Sequence, residues 1–351
     1  MQSLVSLLRA AVASPTRWRE FLDQISVAAG GEGAVLVAFG TETERSIASR
    51  SLVPVINDWL ALGSGQYTRR PRYSGRPRFL TDLDLFSKEE LDKDAVYVDF
   101  LRPRGLGWSV GTSIQMASGD TLILTVQRAY AKGPVEGAVV QQLDALRPDL
   151  IEALLLAERN SIERLGFLLD SLQHVGVAAA AVGPMGKIVR ANGHFSRYQR
   201  VFGVTGGRML LTDPARAEMT KVLRISASPE AGAQTWSVAI PGTIADPPTL
   251  VRVLPLEDCS YVFTGASALL VPTALERQKA PNQQLLVTMF GLTRAEARVG
   301  SLLAAGIPAK VIAQLQGVTT HTIRMQLKSV YRKLGVRRQA EVINMLARSP
   351  S

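Results

Sequence analysis

Residues 291–346 read GLTRAEARVGSLLAAGIPAKVIAQLQGVTTHTIRMQLKSVYRKLGVRRQAEVINML, and this stretch decides the fold of the C-terminal part. Thr319 is a favourable helix N-cap, and the apolar residues that follow it are spaced by four, three and four positions. This spacing places their side chains on one stripe of a helix, which must face a core. The members of the stripe are Ile323, Leu327, Val330 and Leu334.

The face opposite this stripe is cationic. At 100° per residue it carries His321, Met325, Lys328 and Arg332, with Arg324 and Tyr331 on one flank. A helix with one apolar and one cationic face fits the major groove of DNA in width and charge. A second periodic segment precedes it and ends at a turn glycine, which predicts a helix-turn-helix. That segment comprises Val311, Ile312 and Leu315, followed by Gly317.

Charge is concentrated in the same part of the chain. From Leu286 to Ser351 there are ten Lys and Arg against two acidic residues, a net charge of +8, whereas the whole chain carries +10. Such a concentration is typical of a module that binds phosphates. The alternative is a solvated basic face on an ordinary helical tail.

This segment resembles the C-terminal DNA-binding domain of LuxR/GerE/NarL-type bacterial regulators, a four-helix helix-turn-helix. The matching pieces include Leu292-Thr293 with Glu296, Gly317-Val318-Thr319 and Lys333-Leu334-Gly335-Val336. The chain departs from the family pattern at Pro308, where Ser or Thr usually caps the scaffold helix, and at Gln316, where a buried Leu is usual. The resemblance implies base contacts by Arg324, Met325 and Lys328, and phosphate contacts by Thr322 and Lys333. With their neighbours, the expected DNA-binding residues are Thr320, His321, Thr322, Arg324, Met325, Lys328, Arg332, Lys333 and Arg338.

The length of 351 residues indicates two or three domains. In residues 1–146, a helix, a short apolar strand and a hairpin at Trp108–Arg128 resemble the GAF class of sensor domains in element order. Residues 165–264 resemble a PAS domain, in which Asn192 opens the first helix and Ser260–Gly265 is a closing strand. Apolar residues mostly spaced by three or four positions between Val139 and Leu172 predict a long helix interrupted or kinked at Pro148. This helix would either pair with its copy in a second subunit or pack on its own domain.

Aromatic residues are frequent between Trp59 and Trp108, as in a loop-rich segment that lines a small-molecule pocket. They would equally fill an ordinary core. The candidate ligand-binding residues are Trp59, Tyr67, Tyr97 and Trp108. Five Arg occur in Arg69–Arg78, which would form an exposed loop or hold an anion.

Other classes of function find little support in the residues. A single cysteine, Cys259, and three scattered histidines argue against a disulfide, a metal site or a haem, and no cofactor is expected. The sequence contains no Walker loop, Gly-x-Ser-x-Gly elbow or His-Glu-x-x-His motif, so we expect no catalytic residues. The βαβ alternation of a phosphorylated receiver domain is also missing. No apolar run is long enough to span a bilayer, and the N-terminus lacks the charge order of a signal peptide.

The sequence therefore predicts an α+β chain. It would have a GAF-like domain at 1–146, a connecting or dimerisation helix at 147–172, a PAS-like domain at 173–265, a linker at 266–284 and an all-α helix-turn-helix domain at 285–351. The expected function is a cytoplasmic, dimeric, sequence-specific regulator of transcription. Its partners would be double-stranded DNA, a second copy of the chain, a small-molecule ligand in the N-terminal domain and RNA polymerase, but no membrane. The alternative is a constitutive dimeric DNA-binding protein whose upstream domains mediate only protein–protein interaction.

Overall fold

The computed structural model describes residues 2–40, 44–62, 73, 76–210, 215–226, 234–256, 260–275 and 281–346. The chain divides into two compact units. The first comprises Met1–Pro241 and Thr249–Thr273, and the second comprises Gly242–Pro248 and Ala274–Ser351.

The first sheet of the larger unit is antiparallel, with the strand order β2-β1-β5-β4-β3. The predicted hairpin at Trp108–Arg128 is confirmed, because β4 and β5 pair directly, with Leu106 opposite Ala129 and Gln115 opposite Thr121. The strands are β1 Gly33–Phe39, β2 Glu44–Ala48, β3 Leu80–Thr81, β4 Leu106–Gln115 and β5 Thr121–Ala129.

The two faces of this sheet contact two different hydrophobic cores. In β1, Ala34, Leu36 and Ala38 enter one core, whereas Val35 enters the other. This is the two-residue period of a strand that is covered on both faces. The first core is covered by α1 Gln2–Ala13, α2 Trp18–Ala28 and the long helix α6 Gly137–His174. The second is closed by α3 Val53–Ala61, α4 Asp82–Leu85, α5 Lys88–Leu91 and a π-helical turn at Val96–Leu101.

The predicted long helix is confirmed as α6, Gly137–His174, and Pro148 lies inside it without ending it. The helix begins before the predicted domain boundary at 146, because its first half is part of the first core. Leu143, Leu146, Leu150 and Leu154 are all buried there. Ile162, which the apolar period had assigned to the same face, is instead 43% exposed.

The second sheet has the strand order β7-β6-β10-β9-β8. Asn192 caps a 3₁₀ helix at Gly193–Tyr198, since its Oδ1 accepts from the backbone N of Phe195 at 3.2 Å, as expected for the residue that opens this helix. A separate helix, α7, spans Ala215–Ser226. The strands are β6 Ala180–Val182, β7 Ile188–Ala191, β8 Trp236–Ile240, β9 Thr249–Pro255 and β10 Ala268–Ala274.

Two predictions in this region are wrong. The segment predicted as a closing strand, Ser260–Gly265, contains the short helix α8 Tyr261–Thr264. Its adjacent apolar residues Val262 and Phe263 enter the first core, where the Phe263 ring lies 5.6 Å from that of Trp18. The linker predicted at 266–284 begins later, because the strand Ala268–Ala274 pairs with β6 and its first three residues are all buried.

The second unit is helical around one apolar core, as predicted for the C-terminal segment. Asn282 and Thr293 cap its first two helices with side-chain oxygens, and Gly291 ends the first of them in the left-handed region at φ +63°. The helices are α9 Gln283–Phe290, α10 Arg294–Ala304, α11 Ala309–Gln316, α12 Thr320–Leu334 and α13 Gln339–Leu346.

Within the described ranges, no helix has the length and apolar character needed to cross a bilayer.

Candidate nucleic-acid interface

Helix α12 has the buried stripe that the sequence predicts. Ile323, Leu327, Val330 and Leu334 are all buried in the core of the second unit. The start of the helix is fixed by Thr319, whose Oγ1 accepts a hydrogen bond from the backbone N of Thr322 at 3.1 Å. Its end is fixed by Gly335 at φ +68°, a conformation that favours glycine. The opposite face of the helix is therefore held towards solvent.

That outer face carries most of the predicted DNA-binding side chains, whereas Arg338 follows the end of the helix and Lys333 contacts Glu296 at its side. Thr320 is half-buried, and the others are exposed: His321, Thr322, Arg324, Met325, Lys328, Arg332, Lys333 and Arg338. Among the residues that the structure describes, Arg324, Lys328 and Arg332 form no salt bridge. Within that part of the chain, their cationic groups have no carboxylate to displace before they meet an anion.

The turn before α12 brings α11 against it. Gly317 ends α11 at φ +65°, and the backbone N of Val318 donates to the carbonyl of Ala313 at 3.1 Å. This glycine-centred turn joins two packed helices, the arrangement of a helix-turn-helix.

The scaffold helix α11 packs differently from the sequence prediction. Its N-cap is Pro308, which offers no capping side chain. Of the predicted periodic residues only Ile312 is buried, whereas Val311 and Leu315 are exposed, and Ala313 takes their place in the core. The helix is only eight residues long, so its narrow buried face is formed by two adjacent positions. Gln316 is partly buried, and its Nε2 has no hydrogen-bond partner in the described part of the chain.

Lys333 has a structural role that the sequence does not predict. Its Nζ lies 2.7 Å from Oε2 of Glu296 and 2.9 Å from the carbonyl of Gly291. Ser329 donates to the other carboxylate oxygen of Glu296 at 2.7 Å. Glu296 also accepts from the backbone N of Thr293 in the capping box of α10, so one carboxylate joins the start of α10 to the end of α12. A phosphate contact by Lys333 stays a prediction.

These hydrogen bonds determine the charge state of Glu296. Desolvation by burial acts to raise the pKa of this carboxyl, but the hydrogen bonds from Lys333, Thr293 and Ser329 outweigh it and lower the pKa from 4.5 to about 2. Glu296 is therefore ionised at neutral pH and accepts a charge-assisted hydrogen bond from Lys333 in the last turn of α12.

Three of the four candidate ligand-binding aromatics belong to a packed core. Tyr97 is fully buried in the second core of the first sheet, and Trp59 and Trp108 pack against the same cluster. Tyr67 lies outside the described residues, as does most of the arginine-rich segment Arg69–Arg78. These contacts fit the alternative in which the aromatics fill an ordinary core.

A buried carboxylate at this cluster was missed from the sequence. Asp82 is 1% exposed, accepts from the hydroxyl of Ser109 at 2.6 Å, and also accepts from the hydroxyl of Tyr97 and the backbone N of Ser109. Three converging donors satisfy an acceptor that would otherwise be costly to bury. Asp82 thus joins α4, the π-helical turn and β4.

No family model matches this chain, and no curated protein matches it. Among solved structures, the N-acylhomoserine lactone dependent LuxR family transcription factor CepR2 from Burkholderia cenocepacia is 15% identical, with a TM-score of 0.34, over 45% of this chain and 96% of that chain. SdiA from Escherichia coli is 11% identical, with a TM-score of 0.32, over 97% and 94% of the respective chains. The phage VqmA–DPO complex is 18% identical, with a TM-score of 0.24, over 53% and 89%.

Proposed function

We propose that this chain is a sequence-specific DNA-binding regulator of transcription whose α12 enters the major groove. The observation that carries the proposal is the combination of a buried apolar stripe with an outer face on which Arg324, Lys328 and Arg332 have no carboxylate partner among the described residues. Arginine and lysine are the side chains that most often read guanine in the major groove. The net charge of +8 in residues 286–351 supports the same proposal.

The proposal is tested by selecting binding sites from random DNA with the purified full-length chain near physiological salt. We expect an inverted repeat whose half-sites lie about one helical turn apart, because one such helix makes few base contacts and two multiply the specificity. Recovery of unrelated sequences, bound only through a salt-sensitive attraction, would oppose the proposal.

The proposed dimer uses the second half of α6. Leu155 and Ile162 are 37% and 43% exposed and lie seven residues apart on one stripe of the helix. Arg159 and Glu163 lie along one side of this stripe with an exposed ion pair of 2.9 Å. An exposed apolar stripe bordered by charges is typical of a helix that pairs with a second helix, so we propose the copy of α6 in a second chain as its partner.

The double substitution Leu155→Glu with Ile162→Glu should weaken this association at least about tenfold, because it buries like charges in a paired stripe. Analytical ultracentrifugation over a range of concentrations measures the effect. Val27→Glu on α2, at a position that is 71% exposed, is the control and should leave the association unchanged. An unchanged dimer in the double variant would place the interface elsewhere.

Arg332→Gln should weaken binding to all DNA sequences by a similar factor. It should also reduce the slope of log K against log salt by about 1, because one phosphate contact is lost. Fluorescence anisotropy at several salt concentrations measures both quantities. Lys333→Ala is a less direct test, because it also breaks the ion pair with Glu296. A slope that stays unchanged in Arg332→Gln would remove this residue from the phosphate contacts.

The residues around the two sheets would form the sensor domains of the proposed regulator. We propose that the part around the first sheet is a GAF-like domain and that the part around the second sheet is a PAS-like domain. Helices α6 and α8 both pack in the first core. A conformational change in either proposed domain would therefore be transmitted to the other through these helices, which supports a sensor that acts as one unit. RNA polymerase remains a proposed partner of the DNA-bound form.

A further inference from the structure

Helix α10 has a solvent-facing side that carries two arginines and lies outside the predicted DNA-binding residues. Arg294, Ala295 and Arg298 are exposed and Leu302 is half-buried, whereas the other seven residues of α10 are buried. At 100° per residue these four side chains fall within an arc of about 100°. They form one continuous surface, the arginine face of α10.

Neither arginine of this face has a carboxylate partner in the described ranges of the chain. On α6, by contrast, Arg159 pairs with Glu163 four residues later at 2.9 Å. The residue four positions after Arg294 is instead Arg298. The acidic residue of α10, Glu296, is directed into the core side of the helix.

The position of Arg294 is unfavourable within its own helix. Arg294 is the first residue of α10, where the partial positive charge of the helix terminus favours acidic side chains. It also lies one turn from Arg298, and like charges at this spacing repel each other. Local rules of helix electrostatics are usually broken where a residue serves a contact outside the fold. The two arginines therefore indicate an anionic partner.

The arginine face is directed away from α12. The carboxylate of Glu296 contacts Ser329 and Lys333 of α12. Glu296 is two residues from each arginine, which places it about 160° around the helix from both. Because a helix is about 10 Å across, the body of α10 separates the two arginines from α12. We therefore expect DNA bound to α12 to leave the arginine face accessible.

We propose that the arginine face of α10 binds an acidic segment of a second protein while α12 binds DNA. The planar guanidinium groups of Arg294 and Arg298 match carboxylates through paired N–H donors. Ala295 and Leu302 offer an apolar contact beside them, which suits a protein segment better than a phosphate backbone. This inference rests on the proposed function for its setting, because it assigns a partner to the DNA-bound form.

Fluorescence anisotropy tests the proposal with a labelled helical peptide that carries Glu and Leu on one face. The peptide is added to the full-length chain after α12 has been occupied by unlabelled duplex DNA. We expect saturable binding, and the double substitution Arg294→Gln with Arg298→Gln should reduce the affinity at least about tenfold. Lys310→Gln, which removes an exposed cation from α11, is the matched control and should leave the affinity unchanged. Any bound duplex serves, so a chain without sequence preference would refute the proposed function and still permit this measurement.

Hydrogen exchange of the same variants separates partner binding from a structural role. Arg294→Gln removes the charge that opposes the helix terminus and repels Arg298, so amides of α10 should exchange about two- to fivefold more slowly. Faster exchange in this variant would give Arg294 a structural role and overturn the proposal. Unchanged peptide affinity in the double variant, or an equal loss in Lys310→Gln, would also overturn it. A lower salt dependence of DNA binding in the double variant would assign the arginine face to DNA phosphates instead.

Discussion

Arg324→Ala should reduce the preference of the chain for its selected site over unrelated DNA by about 10- to 100-fold, the value of one bidentate contact to a base. Arg324 is exposed near the start of α12, within the half of a recognition helix that usually meets base edges. Binding to unrelated DNA should fall much less, because only one charge is removed. Competition experiments with labelled selected and scrambled duplexes at fixed salt measure the ratio.

Two further variants separate base reading from charge. Arg324→Lys keeps the charge but not the planar fork of donors, so it should lose most of the preference while the salt dependence stays unchanged. Arg294→Ala removes an equally exposed arginine from the first turn of α10, and it should leave the preference intact. If Arg324→Ala discriminated as well as the native chain, α12 would not read bases through this residue.

Glu296→Ala should destabilise the helical unit by about 3 kcal/mol, because it breaks a partly buried ion pair and leaves several hydrogen-bond donors without their acceptor. The side chain of Glu296 is 10% exposed, and its removal leaves Lys333, Ser329 and the N-terminus of α10 without their acceptor. Hydrogen exchange measured by mass spectrometry on the full chain resolves this unit from the other. Amides of α10 and α12 should exchange roughly 100-fold faster.

The destabilisation caused by removing the carboxylate of Glu296 should become smaller as the pH falls. Because the folded-state pKa of Glu296 lies at about 2, below its ordinary 4.5, the ionised carboxylate stabilises the unit fully above pH 4.5. This contribution is lost as the pH falls from about 4.5 towards about 2, so the difference between native and Glu296→Gln chains should shrink over that range. Glu341→Gln, at an exposed carboxylate that caps α13, is the matched control with a small effect. Equal exchange in the native and Glu296→Ala chains would contradict the structural role of the pair.

Local periodicity is sufficient to predict the helical unit. The stripe from Ile323 to Leu334 follows from spacing alone, and Thr319 and Gly335 specify where α12 begins and ends. The same reasoning predicts α6, because its apolar residues recur every three or four positions. It fails at Leu315, where only the packing of neighbouring helices decides which side of a short helix is buried.

Contacts between distant residues could not be predicted from the sequence. The pairing of Ala268–Ala274 with β6 is not visible in the local sequence, because the two strands are far apart along the chain. Arg45 and Asp120 are 75 positions apart, and Glu296 and Lys333 are 37 apart. The capping box at Thr293 indicates why Glu296 follows a helix start, but not that the same carboxylate also binds the end of α12.

Cross-linking from position 325 determines whether α12 lies in the major groove of bound DNA. Met325 and Met289 are 56% and 58% exposed in the same unit, on α12 and α9 respectively. Each is replaced by Cys in a Cys259→Ser background, and a short photoreactive group is attached. On the selected duplex, position 325 should cross-link to bases within each half-site, and position 289 should not. Efficient cross-linking from position 289 but not from position 325 would show that another face of the domain meets DNA.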